Sequence, residues 1–281
     1  MATEQNGQIV KKSAESNIII QRATSPSTLA ALKDALPVHV KADRFARIVL
    51  TACRANEKLR QSDETSFLAC VLQAAQLGLE PNTPLQHCFL IPRMAGKHMS
   101  TTLQIGYQGM IDLAQRAARA SINVELVYKG EHFVYQAGDS PMLEHTPNVD
   151  APYRPVSEVR CAYAIATYAD KSKTRRVVPR WELDKAYSLR ATKSDDGIWE
   201  KHPEEMMKKT AIRRLFKLLP KSAEMAAASA IADDEETGSR RLRVTNDVAA
   251  LMEREGLILN TSAQDYDPDT GEVSAADEPQ A

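Results

Sequence analysis

No apolar run in this 281-residue chain approaches the ~20 residues that a membrane-spanning helix needs. The opening MATEQNGQIVKK is polar and lacks the basic-then-apolar layout of a secretory leader. Cysteine is sparse: Cys53, Cys70, Cys88 and Cys161 stand far apart, with no CxxC pair and no histidine at zinc-finger spacing. His87 and Cys88 are adjacent, but neighbours on a strand point to opposite faces and make a poor chelate. These absences predict a cytoplasmic protein with reduced, buried cysteines and no metal or cofactor. There is no Gly-x-x-x-x-Gly-Lys-Ser/Thr, so ATP-driven chemistry lacks its usual phosphate cradle. Acidic pairs do occur, but Glu204-Glu205 read as a complement to a helix dipole, Asp195-Asp196 as a turn, and residues 233–236 as a solvated linker. No catalytic residue is expected.

What is present is an ordinary globular composition, 43% hydrophobic and 26% charged, enough for one sizeable core or two small ones. The net charge of −1 conceals an asymmetry. From Ser222 onward 14 acidic residues face 4 basic ones, which leaves residues 1–221 at about +9. A basic body with an acidic tail suits a protein that binds a polyanion.

Along the chain, residues 1–24 read as a mobile, polar arm. Ser25-Pro26 looks like an N-cap and first helical position, with Leu29, Leu32 and Leu36 on one face and Pro37 as the stop. A second helix is predicted from Asp43 and a third from about Asp63, the latter ending at Gly78 in a left-handed cap over which Leu79 folds back. Residues 87–92 and 101–107 read as strands joined by a hairpin at 93–98, and a helix follows over 108–118. Strands are expected at 122–135, 156–168 and 174–178, with a charged turn at Lys171-Ser172-Lys173. Helices near 180–190 and 203–219 close the core. The expected class is α+β: a helical N-terminal part, then a central antiparallel or mixed sheet with a hairpin, packed against C-terminal helices. The corresponding domains are the arm (1–24), a core (25–222), a linker with a short helix near 246–256 (223–262) and an acidic disordered tail (263–281).

The segment from Trp199 to Pro220 carries the most chemistry. Pro203 suits a first helical position, Glu204 and Glu205 sit at the positive dipole end, and Pro220 ends the helix. Ile212, Leu215, Phe216 and Leu219 form an apolar stripe. Beside it Lys209, Arg213 and Lys217 recur every fourth residue, a row rising about 6 Å per step, close to the phosphate spacing of an extended strand. Like charges at this spacing destabilise a helix that has no partner for them, which favours an anionic ligand over an idle solvated face. Lys208 and Arg214 extend the basic surface, and Arg supplies a planar fork for phosphate. Two earlier pieces are Leu77-Gly78-Leu79-Glu80-Pro81 and Leu103-Gln104-Ile105-Gly106-Tyr107-Gln108-Gly109. In the second, a strand passes through two glycines into a helix start whose backbone donors can face an anion, and Tyr107 offers a ring for base stacking.

Taken in order, the phrases QLGLEP, LQIGYQGMIDLA and W–HPEEMMKKTAIRRLFKLLP resemble the hallmark segments of the RecT family of single-strand annealing proteins, over roughly residues 26–222. One departure is Met207, where the family often has a smaller residue. The resemblance implies ATP-independent binding of single-stranded DNA and annealing of complementary strands in homologous recombination, in a bacterial host cell. It also implies assembly into rings or helical filaments, hold on the annealed duplex, and work beside a 5′→3′ exonuclease and the host single-strand binding protein.

On this reading Lys208, Lys209, Arg213, Arg214 and Lys217 contact phosphates, with Lys129, Arg175 and Arg176 on an opposing wall. Tyr107, Trp199 and Phe133 are stacking candidates, and Gln104 and Gln108 are polar DNA contacts beside Tyr107. Backbone-only contact leaves the Watson–Crick edges readable, so base pairing supplies the specificity. The acidic tail either occupies the basic groove or serves solubility. Two rivals stand: a coating protein that protects DNA without annealing it, and a nuclease whose carboxylates meet only in the fold.

Overall fold

The computed structural model describes residues 19–95, 98–189 and 197–237. The chain divides into two compact units at Gly109/Met110, inside the stretch expected as one core. Among the described residues no helix is long and apolar enough to cross a membrane.

The first unit opens earlier than its composition suggests. Residues 19–23, expected as part of a mobile arm, are helical, and Ile19 and Ala23 are buried. Helix α1 (Pro26–Ala35) has the expected cap, Ser25 Oγ accepting from Thr28 N at 3.2 Å. Helix α2 (Ala42–Ala55) buries Phe45, Val49 and Ala52, and the single turn α3 (Glu57–Arg60) is capped by Asn56. Helix α4 (Glu64–Leu77) starts at Asp63, whose carboxylate accepts from Ser66 N at 2.7 Å.

Gly78 (φ 63°) ends α4. Its N–H reaches Ala75 O at 2.8 Å and Leu79 N reaches Ala74 O at 3.0 Å, the paired bonds of a Schellman cap, with Leu79 fully buried. Strands β1 (Cys88–Ala95) and β2 (His98–Ile105) pair antiparallel along their whole length. They run further into the connection than expected, because Arg93–Ser100 and Met94–Met99 still pair. The hairpin is fastened to α4 by Thr101 N donating to Ser66 Oγ (3.0 Å) and Asp63 N donating to Met99 O (2.7 Å).

Helix α5 (Tyr107–Ala118) spans the division between the units. In the second unit, β3 (Ser121–Tyr128), β6 (Val159–Thr167) and β7 (Lys173–Pro179) form an antiparallel sheet in the order β3-β6-β7. The run expected as one strand over 122–135 is instead two. A turn containing Gly130 (φ 84°) separates β3 from β4 (His132–Gln136), which pairs with β5 (Met142–Thr146) as a hairpin of its own. All pairing among the named strands is antiparallel, in three small sheets rather than one central one. A single 3-10 turn, Val156–Glu158, precedes β6.

The β3-β6-β7 sheet has two unlike faces. Val127, Cys161, Tyr163 and Val177 lie together and receive Phe133 and Leu143 of the β4–β5 hairpin. Ala162, Ala164 and Ala166 occupy the other face and are fully buried. Helices α6 (Arg180–Ser188), α7 (Ile198–Lys201) and α8 (Pro203–Phe216) follow, and α8 packs across all three strands. Small alanines allow a helix to approach the sheet closely.

Helix α9 (Ala223–Thr237) runs through Asp233 and Asp234, residues expected as linker. Its alanine-rich sequence is a strong helix former, although its apolar periodicity is weak. The expected helix near 246–256 and the acidic tail at 263–281 lie outside the described residues, as do Asp195 and Asp196.

The β4–β5 hairpin is held by a buried carboxylate. Glu131, whose side chain is 2% exposed, accepts from Tyr128 N (2.7 Å), Asn148 N (3.1 Å), Arg154 Nη2 (2.6 Å) and His145 Nε2 (3.1 Å). His145 Nδ1 is hydrogen-bonded to the Tyr163 hydroxyl at 3.2 Å. Burial works to raise the Glu131 pKa, but the bonds from Tyr128 N, Arg154, His145 and Asn148 N prevail and hold it at about 2. One ionised group therefore joins the β3–β4 turn, the hairpin and the 148–154 loop.

Candidate nucleic-acid interface

Helix α8 has the predicted N-terminus but ends at Phe216, three residues before the expected Leu219, with Lys217 at its C-cap. His202 occupies the N-cap without a side-chain bond, Pro203 follows, and Glu204 and Glu205 lie in the first turn. Glu204 also accepts from the Tyr128 hydroxyl at 2.9 Å, which ties the helix start to the end of β3. That bond, after desolvation as the larger cause, pushes the Tyr128 hydroxyl up to about 12. The apolar stripe is confirmed: Ile212, Leu215 and Phe216 are buried.

The basic residues of α8 meet two different environments. Lys209, Arg213 and Lys217 follow one another at four-residue steps, and α9 meets that row. The Arg213 guanidinium donates to Ala232 O, and Lys217 Nζ lies 2.7 Å from Asp233 Oδ1. Lys209 is 7% exposed, far more buried than a solvated basic face would place it. Lys208, half-buried, pairs with Glu205 at 3.3 Å. Arg214 turns to the other side, its Nε donating to Glu182 Oε1 at 2.6 Å.

Glu182 also accepts from Arg176 Nη2 at 3.0 Å. Two guanidiniums thus share one largely buried carboxylate, a cluster with a formal charge of +1.

The proposed opposing wall divides. Arg176 is paired with Ala164 on the face toward Glu182 and α8, while Arg175 is paired with Ile165 on the hairpin face. Successive strand residues point to opposite sides, so these two side chains do not act together. Lys129 is exposed in the β3–β4 turn, its backbone N–H bound to Glu158 O at 2.9 Å.

Among the aromatics, Phe133 is stacked on Tyr163 (centroids 5.8 Å apart), meets His145 edge-on, and carries the Arg160 guanidinium at 5.7 Å. Its ring is committed to the packing of the hairpin. Trp199 is half-buried and meets Tyr187 edge-on at 5.6 Å. Trp181, absent from the sequence reading, is the more open indole at 67% exposure.

Gln104, Tyr107 and Gln108 belong to the first unit and are half-buried at the end of β2 and the start of α5. The two glycines there answer a packing need. A Cβ on Gly106 would lie 2.1 Å from Gln86 O, and one on Gly109 would lie 2.1 Å from His87 O. The Gly106 N–H is already donated to His87 O at 2.9 Å, so this donor is used within the protein rather than held for an anion. Among the described residues no group of three or more His, Cys, Asp or Glu is placed to hold a metal.

Sequence reasoning missed Glu182, Asp233 and the Glu131 cluster. Asp233 carried a readable signal, since it closes an alanine-rich run of high helix propensity. Glu182 carried none, because Arg176 sits on the preceding strand across a strand-to-helix corner and Arg214 lies 32 residues away.

Residues 43–249 match the RecT family. The chain is 38% identical over 225 residues to Protein RecT of Escherichia coli (strain K12), covering 77% of this chain and 81% of that one. It is 27% identical over 260 residues to the uncharacterized protein YqaK of Bacillus subtilis (strain 168), covering 88% and 85%. With most of its length matched and its basic helix within the matched span, the chain belongs to the RecT family.

Proposed function

We propose that this chain binds single-stranded DNA and anneals complementary strands in homologous recombination, without ATP and without making or breaking covalent bonds itself. The observation that supports the choice of site is the Lys209–Arg213–Lys217 row on α8. Its three charges recur every fourth residue along α8 and its C-cap, and Arg213 and Lys217 meet oxygens of α9, the Ala232 carbonyl and the Asp233 carboxylate. Phosphate oxygens can replace those acceptors.

Lys208 on the same helix, and the +1 cluster that joins Arg214 to Glu182 of α6 and Arg176 of β7, add positive potential. Lys129 is a further candidate phosphate contact in the second unit, whereas Arg175 lies on the sheet face away from this row. Gln104, Tyr107, Gln108 and Trp199 are candidates for contacts with bases. Binding through the sugar-phosphate backbone leaves bases free to pair, and the paired product is retained on the same cations. An oligomer, as ring or filament, lines up many weak sites so that their avidity holds a long strand. A 5′→3′ exonuclease that exposes the strand and a host single-strand binding protein that coats it are the fitting partners, in the bacterial cytoplasm.

The test is pairing of two complementary labelled oligonucleotides, added in sequence to the purified protein without ATP and followed by energy transfer. Pairing faster than the protein-free control, with both strands retained in a large complex, is expected. Tight binding without acceleration would make the chain a coating protein, and magnesium-dependent loss of a strand would make it a nuclease.

A further inference from the structure

We propose that α9 is an internal strap that occupies the phosphate row of α8 in the DNA-free protein and must leave that row for a strand to bind. This inference rests on the reading of Lys209, Arg213 and Lys217 as phosphate contacts.

Three observations carry it. First, α9 presents oxygen acceptors to the very row in question: the Ala232 carbonyl to Arg213 and the Asp233 carboxylate to Lys217, 2.7 Å away. They stand where phosphate oxygens would stand.

Second, each helix is electrostatically incomplete without the other. The α8 row stacks like charges at four-residue steps, which destabilises a helix left alone. By sequence, α9 ends in Asp-Asp-Glu-Glu-Thr with no basic residue in its last turn. Acids at the negative end of a helix dipole are unfavourable, and cations supplied from α8 relieve that.

Third, the apolar grip of α9 loosens toward its C-terminal end. Among the described residues its buried face consists of Met225, Ala228, Ser229 and Ala232. Past Met225 these side chains bury little surface compared with a leucine, so the end that meets Arg213 and Lys217 is held largely by polar contacts open to competition by a polyanion. A DNA strand offers a long run of phosphates at once, in competition with the Asp233 carboxylate that α9 sets against Lys217. Short or isolated anions would compete poorly, which makes the device selective for polymers.

The experiment uses the full-length chain, a fluorescein-labelled oligothymidylate, and three proteins: wild type, Asp233→Asn and Lys217→Gln. Removing the Asp233 charge leaves Lys217 available, and binding at low salt is expected to tighten by about two- to fivefold, the range of an exposed ion pair. Lys217→Gln is expected to weaken binding and to reduce the dependence of log K on log salt by about 0.7.

Hydrogen exchange of residues 223–237 in the wild-type protein gives a readout that does not depend on a variant folding well. The strap predicts faster exchange there when the oligonucleotide is bound. If Lys217→Gln lowers the slope while Asp233→Asn leaves affinity unchanged and exchange over 223–237 stays the same or slows, the row is a DNA site and the strap is refuted. If Lys217→Gln leaves the slope unchanged, the row is not a DNA site, and the strap falls with it.

Discussion

Replacing Glu131 by Gln removes a charge that four donors are arranged to meet. In the folded protein the carboxylate is 2% exposed and accepts from two backbone amides, a guanidinium and an imidazole. An amide keeps the shape but loses the charge and turns one acceptor into a donor facing other donors. A carboxylate held at about 2 instead of its ordinary 4.5 corresponds to about 3 kcal/mol of stability at neutral pH.

The sign follows from the direction of the shift. Because the folded pKa is depressed, the contribution is fully present above about 4.5 and is lost as pH falls through about 2. Both tryptophans of the chain, Trp181 and Trp199, lie in the second unit, so their fluorescence reports on the unit that holds Glu131. Urea titrations followed by that signal are expected to show E131Q less stable than wild type by about 3 kcal/mol at pH 7, with the gap narrowing steadily below pH 4.5. A gap under 0.5 kcal/mol at pH 7, or one that does not change with pH, would refute the reasoning.

Glu182→Gln leaves Arg176 and Arg214 without their shared carboxylate, and a loss of about 2–4 kcal/mol in the same titration is expected, with Arg176 contributing less because it is more exposed. Adding Arg214→Gln to that variant is expected to recover part of the loss, and a further fall would contradict the charge argument. Alanine at Gly109 drives a Cβ to 2.1 Å from a backbone carbonyl, so the melting temperature is expected to fall by an amount equivalent to about 1–3 kcal/mol. An unchanged melting temperature would show that the corner yields freely. All four cysteines are buried, and burial pushes Cys53 and Cys70 up to about 12 and Cys161 to about 11. Native protein is therefore expected to react with a thiol-specific reagent at pH 8 far more slowly than protein in denaturant, and equal rates would contradict this packing.

Local signals carried much of the fold. The Ser25 and Asp63 caps, the Gly78 turn with Leu79 behind it, the β1–β2 hairpin and the start of α8 at Pro203 each depend on residues within a few positions of one another. Their hydrogen bonds and backbone angles are fixed by nearby atoms, so the sequence contains them. The 122–135 stretch was misread because its apolar alternation continues across the break. The turn there is stabilised by Glu131, whose bonds to residues 145, 148 and 154 are remote in sequence. In α9, helix propensity was present, but the pattern reading gave it less weight than periodicity.

By itself the sequence determined most of the helices and strands, the row of cations every fourth residue, and, through QLGLEP, LQIGYQGMIDLA and HPEEMMKKTAIRRLFKLLP, membership of the RecT family. Only the tertiary structure decided where each charge spends itself. It set Arg175 and Arg176 on opposite faces, gave Arg214 to Glu182, buried Lys209, and met Arg213 and Lys217 with the end of α9. The physical reason is range: caps and turns close over a few residues, whereas desolvation and ion pairing depend on whichever distant segment the fold brings within a few ångströms.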